Sequence, residues 1–213
     1  DVRLVAVTGG GEVVRVAMNS GKRAVAAGPG NPPCVVDATA DLDLAGAGIV
    51  RGGSFDNCIV CTAEKEIVAV AAIADDLKAS ICRHGGFELK GRDLDAVRKL
   101  VVDESDPKHP RPVRDWIGKD CHKILDAAGV RGFPRDVQMC FGEVDEHHPF
   151  VQGELLMPVL GFVRVPDVDE AIATAVRVEH GFRHTANMYS RDIDALHRMA
   201  RAIDCSIFVK NAP

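Results

Sequence analysis

At 213 residues, 46% of them apolar and 27% charged, the chain is long enough for one large domain, or one domain with part of another. A net charge of -5, with Lys and Arg scattered, leaves no basic face for nucleic acid, and no apolar run approaches the roughly 20 residues that span a bilayer. Seven cysteines, an odd number in apolar surroundings, favour free thiols in a reducing compartment such as the cytoplasm over a disulfide framework.

Asp1 leads directly into residues 2–8, which read as a strand and not as a secretory leader. Gly9-Gly10-Gly11 turns into a helix carrying Val13, Val14 and Ala17 on one side; Gly21 ends it, and Lys22 to Ala26 reads as a second strand. Gly28 to Pro33 is a stiff irregular loop before the strand Cys34 to Val36. Asp41 has the character of an N-cap for a helix reaching about Arg51. A strand follows from Ile67 to Ala72, then a helix from Ala74 to Arg83, marked by Leu77 and Ile81. Pro107, Pro110 and Pro112 among charges make 103–114 an exposed loop, ahead of a helix predicted over Ile117 to Ala128. The strand Val159 to Val165 runs into Asp167-Val168-Asp169-Glu170, a capping-box pattern opening a helix through Val176. Asn187 to Ser190 is a short strand, Ile193 to Ile203 a helix, and Ile207 to Val209 a last strand. Strands alternating with helices predict an α/β layered fold on a largely parallel sheet. The chain opens inside a strand without Met and stops just after another, so a fragment or processed piece is expected.

The chemistry centres on Cys61. It follows the small polar stretch Ser54-Phe55-Asp56-Asn57 and Cys58, and precedes Glu64-Lys65-Glu66 and an apolar run. A thiol reacts as thiolate, and Lys65 and Asn57 stand close enough in sequence to favour that ion; a buried structural cysteine is the plainer alternative. Cys58 and Cys61 form a C-x-x-C, but the second pair that a zinc site wants is missing, and a redox pair stays open on spacing alone. The Gly9–Gly11 turn can approach a phosphate or a flat ring, or serve only as a turn. His147-His148 reads as a solvated loop. His180 and His184 are four apart, but Gly181 argues against a helix there, so the segment reads as a loop shaping a site wall. Asp103, Glu104 and Asp106 form a solvated face, and no metal is called for.

In this order, these segments resemble the aldehyde dehydrogenase superfamily and, within it, the CoA-acylating propionaldehyde and acetaldehyde dehydrogenases. The most specific stretches are Ser54 through Glu66, Glu179-His180-Gly181-Phe182-Arg183-His184-Thr185-Ala186, and Ser206-Ile207-Phe208-Val209-Lys210-Asn211. The resemblance implies a three-layer α/β catalytic domain over residues 28–213, with residues 1–27 the last part of an NAD-binding domain. It places Cys61 as the nucleophile and Thr8, Gly9 and Gly10 beside the nicotinamide. Glu154 falls on its ribose, and Asn57 and His184 at the substrate. Cys58 departs from relatives that carry Asn there.

Hydrolytic members of the superfamily carry a glutamate base where this chain has Ala26, with Ala27 beside it. Alanine cannot take a proton, so a thioester on Cys61 would resist water and wait for a thiol. The implied activity is oxidation of a short aldehyde with NAD and CoA. The implied setting is a homo-oligomer in the cytoplasm, with relatives packaged with shell proteins in bacterial microcompartments. Most of the NAD-binding domain would precede Asp1, so the chain alone is expected to bind NAD poorly and turn over slowly. A hydrolytic enzyme and a non-catalytic assembly piece are the competing readings.

Overall fold

The computed structural model describes residues 2–106 and 110–213. β1 (Leu4–Thr8), α1 (Gly11–Met18) and β2 (Arg23–Ala27) form a βαβ unit whose strands pair in parallel, Leu4 beside Arg23 and Thr8 beside Ala27. Ala17 is the residue that α1 buries, while Val13, Val16 and Met18 stay exposed.

The rest of the described chain runs β3 (Pro33–Val36), α2 (Leu42–Ser54), β4 (Glu66–Val70), α3 (Ala74–Arg83), β5 (Gly86–Leu89) and α4 (Gly91–Val101). Next come β6 (Val102–Asp103), β7 (Arg111–Pro112), α5 (Cys121–Ala127), β8 (Met139–Glu143) and α6 (Pro149–Gln152). β9 (Val159–Val165), α7 (Val168–Val178), β10 (Thr185–Tyr189), α8 (Ile193–Ala202) and β11 (Ile207–Lys210) complete it. Seven strands form one sheet in the order β11-β10-β3-β4-β9-β8-β5, with every neighbouring pair parallel.

Both faces of that sheet are covered, which is why its strands read as unbroken apolar runs. In β4, Ile67 and Ala69 join Ile49, Leu77 and Ile81 from α2 and α3. Val68 and Val70, on the opposite face of the pleat, meet Ala175 and Val178 of α7 and Met199 of α8. A third cluster, with Val97, Ile124 and Phe150, closes the β5–β8 end. Helix starts are fixed locally: Asp41 accepts from the Leu44 N–H, Asp167 from Glu170, and Asp192 from Asp194 and Ala195. At the C-terminal ends of β3 and β10, the buried Asp37 carboxylate accepts from the hydroxyls of Thr39 and Ser190, while the Ser190 N–H donates to Asn211 Oδ1.

The structure departs from the sequence reading in places. The helix expected from Ile117 begins at Cys121, because Gly118 turns the backbone to a φ of 67°. The strand expected through Ala72 stops at Val70 and gives way to a short 3-10 turn. Within 103–114, Asp103 pairs with Arg111, while Pro107 lies outside the described residues. His148 is no simple loop residue: its Nδ1 caps α6 by accepting from the Phe150 N–H at 3.1 Å. β5, α4 and β8 were not read from the sequence at all.

Candidate active site

Because the seven strands are parallel, the loops leading into them share one edge of the sheet. Gly30 and Asn31 lead into β3, Cys61 into β4, Glu154 into β9 and His184 into β10. Four segments far apart in sequence therefore meet at the N-terminal edge, opposite to the carboxyl edge where open α/β sheets usually hold ligands.

The approach to Cys61 is strained. Asp56, Asn57 and Cys58 hold φ of 47°, 53° and 58°, three successive side-chain-bearing residues in the left-handed region. Each costs of order 1–2 kcal/mol. Asn57 Nδ2 donates to Gly118 O and to Asp120 Oδ1, both at 3.0 Å. With both amide hydrogens committed there, Asn57 braces the turn. Glu64, Lys65 and Glu66, which read as an ordinary charged run, are buried, with 3%, 3% and 0% exposure. Lys65 Nζ donates to Cys58 O at 2.8 Å and Val60 O at 3.0 Å, and lies 3.3 Å from Cys58 Sγ. Its ammonium thus meets Cys58, where sequence proximity had suggested Cys61.

Cys61 is half-buried, whereas Cys34, Cys58, Cys121 and Cys140 are buried. Burial pushes the Cys34 thiol well up, with Glu64 and Glu66 adding to it. Burial also raises Cys58 against the opposing charge of Lys65. Gly30 lies between the Cys61 backbone and the His184 ring: a Cβ there would stand 2.9 Å from His184 Cγ and 3.0 Å from Cys61 O. His184 is itself oriented, its N–H donating to Glu179 Oε1 at 3.0 Å and its Nδ1 paired with Thr185 Oγ1 at 2.8 Å.

Two cavities open at this edge. The first, about 570 Å³, has apolar walls from Phe55, Val60, Ile207 and Val209, with Thr62 beside Cys61 in sequence. Glu64 and Asn187 also line it, joined by an Asn187 Nδ2 to Glu64 Oε1 bond of 2.6 Å. Burial pushes Glu64 up to about 7, against its backbone hydrogen bond, the Asn187 amide and the Lys65 charge. The second cavity, about 1000 Å³, lies between Gly10 and Gly11 on one side and Gly153, Glu154, His180 and Phe182 on the other. Thr8 and Gly9 lead into it, and the Gly9 N–H donates to Ala27 O at 3.1 Å. Glu154 is raised by burial, opposed by Lys65 and by the Gly30 N–H, which reaches its Oε1 at 3.4 Å.

Sequence alone assigned Gly30 no role at the site, gave no sign that Lys65 binds Cys58 and Val60, and left Glu64 as one of a charged run. The signal available was position: three charges set directly against an all-apolar strand have little room to stay in water. Among the described residues, no group of three or more His, Cys, Asp or Glu is arranged to hold a metal ion, and no helix is long and apolar enough to cross a membrane.

Comparison with known proteins agrees with this architecture. A sequence model of the aldehyde dehydrogenase family matches residues 1–84. All of the chain aligns at 44% identity with the acetylating acetaldehyde dehydrogenase EutE of Salmonella typhimurium, covering 46% of that protein. The fold superimposes on the Rhodopseudomonas palustris propionaldehyde dehydrogenase with bound CoA and an acylated cysteine (TM-score 0.94, 43% identity, 100% of this chain and 47% of that one). It matches equally a propionaldehyde dehydrogenase from the Clostridium phytofermentans fucose utilisation bacterial microcompartment (TM-score 0.94, 39% identity, 100% of this chain and 48% of that one). The chain belongs to the aldehyde dehydrogenase superfamily. Its relatives are CoA-acylating enzymes acting on acetaldehyde and propanal, and the chain spans about half the length of those it matches.

Proposed function

We propose that this chain carries the thiol-bearing part of an NAD-dependent, CoA-acylating dehydrogenase of short aliphatic aldehydes, with Cys61 as nucleophile. The observation that carries this reading is the meeting of Cys61, Gly30 and His184 at one sheet edge, with an apolar cavity and a glycine-walled cleft opening there.

The cleft suits a nicotinamide cofactor. Gly10 and Gly11 have open space where a Cβ would stand, so a flat ring can approach the backbone closely. Glu154 offers a carboxylate to hydroxyls on the facing wall. When bound there, NAD would accept the hydride of the aldehyde carbon. Cys61 thiolate adds to the carbonyl carbon, and the Cys61 N–H is the donor aimed at the oxygen on which charge develops; such a donor is worth roughly 3 kcal/mol. Loss of the hydride leaves an acyl thioester on Cys61. Ala26 and Ala27 cannot activate water against it, so the acyl group passes to the sulfur of the incoming CoA, whose thiol proton goes to solvent, and Cys61 is released as thiolate. His184 forms the wall beside the reacting carbon.

The boundary at residues 27 and 28 is supported by the separation of β1 and β2 from the seven-stranded sheet. The unpaired edge of β11 and the exposed Ile193, which lines neither cavity, support a homo-oligomer. Cytoplasmic placement, or packaging with shell proteins in a microcompartment like the one the C. phytofermentans relative comes from, follows the same reading.

Incubation with a propionyl-pantetheine thioester runs the last step backwards without NAD. Peptide mass spectrometry is expected to find one propionyl group, on Cys61 and stable in water for hours. Equal labelling of several cysteines, or none, would refute the assignment and favour an assembly role.

A further inference from the structure

The carbonyls of Cys58 and Val60 both point at one ammonium, that of Lys65. Two carbonyls cannot bond each other, and a group with several N–H donors can hold both. The Lys65 backbone N–H adds a tie to Pro32 O at 3.0 Å, in the loop entering β3, so one residue joins the strained turn to the neighbouring segment. The turn it holds is the left-handed run Asp56-Asn57-Cys58, and the next residues are Ile59, Val60 and Cys61. On the far side of that run, Asn57 performs the matching task through Gly118 and Asp120. Removal of the Lys65 donors would leave the Cys58 carbonyl without its partner, the Val60 carbonyl with only the Ala63 N–H at 3.1 Å, and the left-handed run without its inner support.

We infer that Lys65 is the positioning residue of the reactive thiol: by gathering the Cys58 and Val60 carbonyls it fixes the backbone of Cys61, and with it the N–H that faces the developing oxyanion. This rests on the reading of Cys61 as nucleophile. Lys65 touches neither aldehyde nor CoA in this role.

Two reactions of the same sulfur separate positioning from general damage. Acylation by propionyl-pantetheine thioester builds an oxyanion and uses the Cys61 N–H; alkylation by iodoacetamide is a displacement that does not. In Lys65→Met, acylation of Cys61 is expected to slow at least tenfold and alkylation to change less than threefold, with Cys34 and Cys140 still protected. Lys65→Arg, which keeps charge and donors in another geometry, is expected to recover part of the acylation rate with alkylation again unchanged. Wild-type acylation by a folded Lys65→Met chain, or acylation and alkylation falling in proportion, overturns the inference. If exposure of Cys34 and Cys140 shows that Lys65→Met has unfolded, the comparison passes to Lys65→Arg. There a slower acylation with unchanged alkylation supports the role, and equal or proportional rates overturn it. A wild-type chain that accepts no acyl group on Cys61 refutes the function itself, and is told apart by needing no variant.

Discussion

Gly30 shows how tightly the site is assembled at the level of single atoms. It has no room for a side chain, because the ring of His184 and the carbonyl of Cys61 close on it from two directions. Gly30→Ala therefore has to displace either the loop that carries the thiol or the histidine beside it. Acylation of Cys61 by a propionyl thioester is expected to fall at least tenfold, since misplacement by about 1 Å can cost on the order of a hundredfold. An unchanged acylation rate, read by peptide mass spectrometry, would show that the two loops give way at no functional cost. The same residue-scale view explains what a sequence can and cannot reveal here. Cys61, Glu154 and His184 are separated by stretches of chain that carry no spacing rule, so their relation came through family resemblance. The burial of Glu64 and Lys65 was hidden because a charged triplet has the same composition whether it is solvated or folded under a loop.

Helix α2 illustrates the next level. Its glycines are not loose joints: Gly46 faces the hydroxyl of Ser80, Gly48 that of Tyr189 and Gly52 the carboxylate of Glu64, each so close that a Cβ would overlap the polar atom. The helix backbone thereby serves as a wall for three buried polar groups. Gly48→Ala would gain about 1 kcal/mol of helix propensity but must push the fully buried Tyr189 aside, an overpacking cost of typically 1–3 kcal/mol. Net destabilisation of about 1 kcal/mol is expected in urea unfolding, and a stabilised variant would disprove the close approach. Elements such as α2, α3 and α7 were legible because a capping aspartate or an i,i+4 apolar pair marks them locally. β5, with four residues and two of them half-buried, and β8, buried on both faces, offer neither alternation nor a cap. Both take their strand form from the neighbours they pair with.

For the molecule as a whole, opposing titrations set where it is most stable. Asp75 and Glu143 are held down to about 2, first by hydrogen bonds from Arg164 and then by Lys78 and the surrounding charges. Their folded values lie below the ordinary carboxylate range, so the stability they bring is present above that range and is lost as pH falls through about 2. Glu64 has the opposite sense: its folded value, about 7, lies above the ordinary one. Its contribution is complete at acidic pH below the ordinary carboxylate value and disappears as pH rises through 7, an amplitude of roughly 3 kcal/mol. The unfolding temperature is therefore expected to peak near pH 5, by about the point where both trends are mildest, and to decline towards neutrality. Glu64→Gln should lessen that decline without abolishing it, because burial raises Glu66 and Glu154 in the same sense; a variant whose melting profile falls as steeply between pH 5 and pH 8 as the wild type's would assign the effect to those two carboxyls.

The cap of Asp37, Thr39 and Ser190 ties up the far ends of β3 and β10, while the loops carrying Gly30, Cys61, Glu154 and His184 lie at the opposite rim. A molecule so divided has a natural handle. A dye or a resin linker joined through the exposed turn at Ala38 would hold the protein by its silent side and leave both openings free to solution.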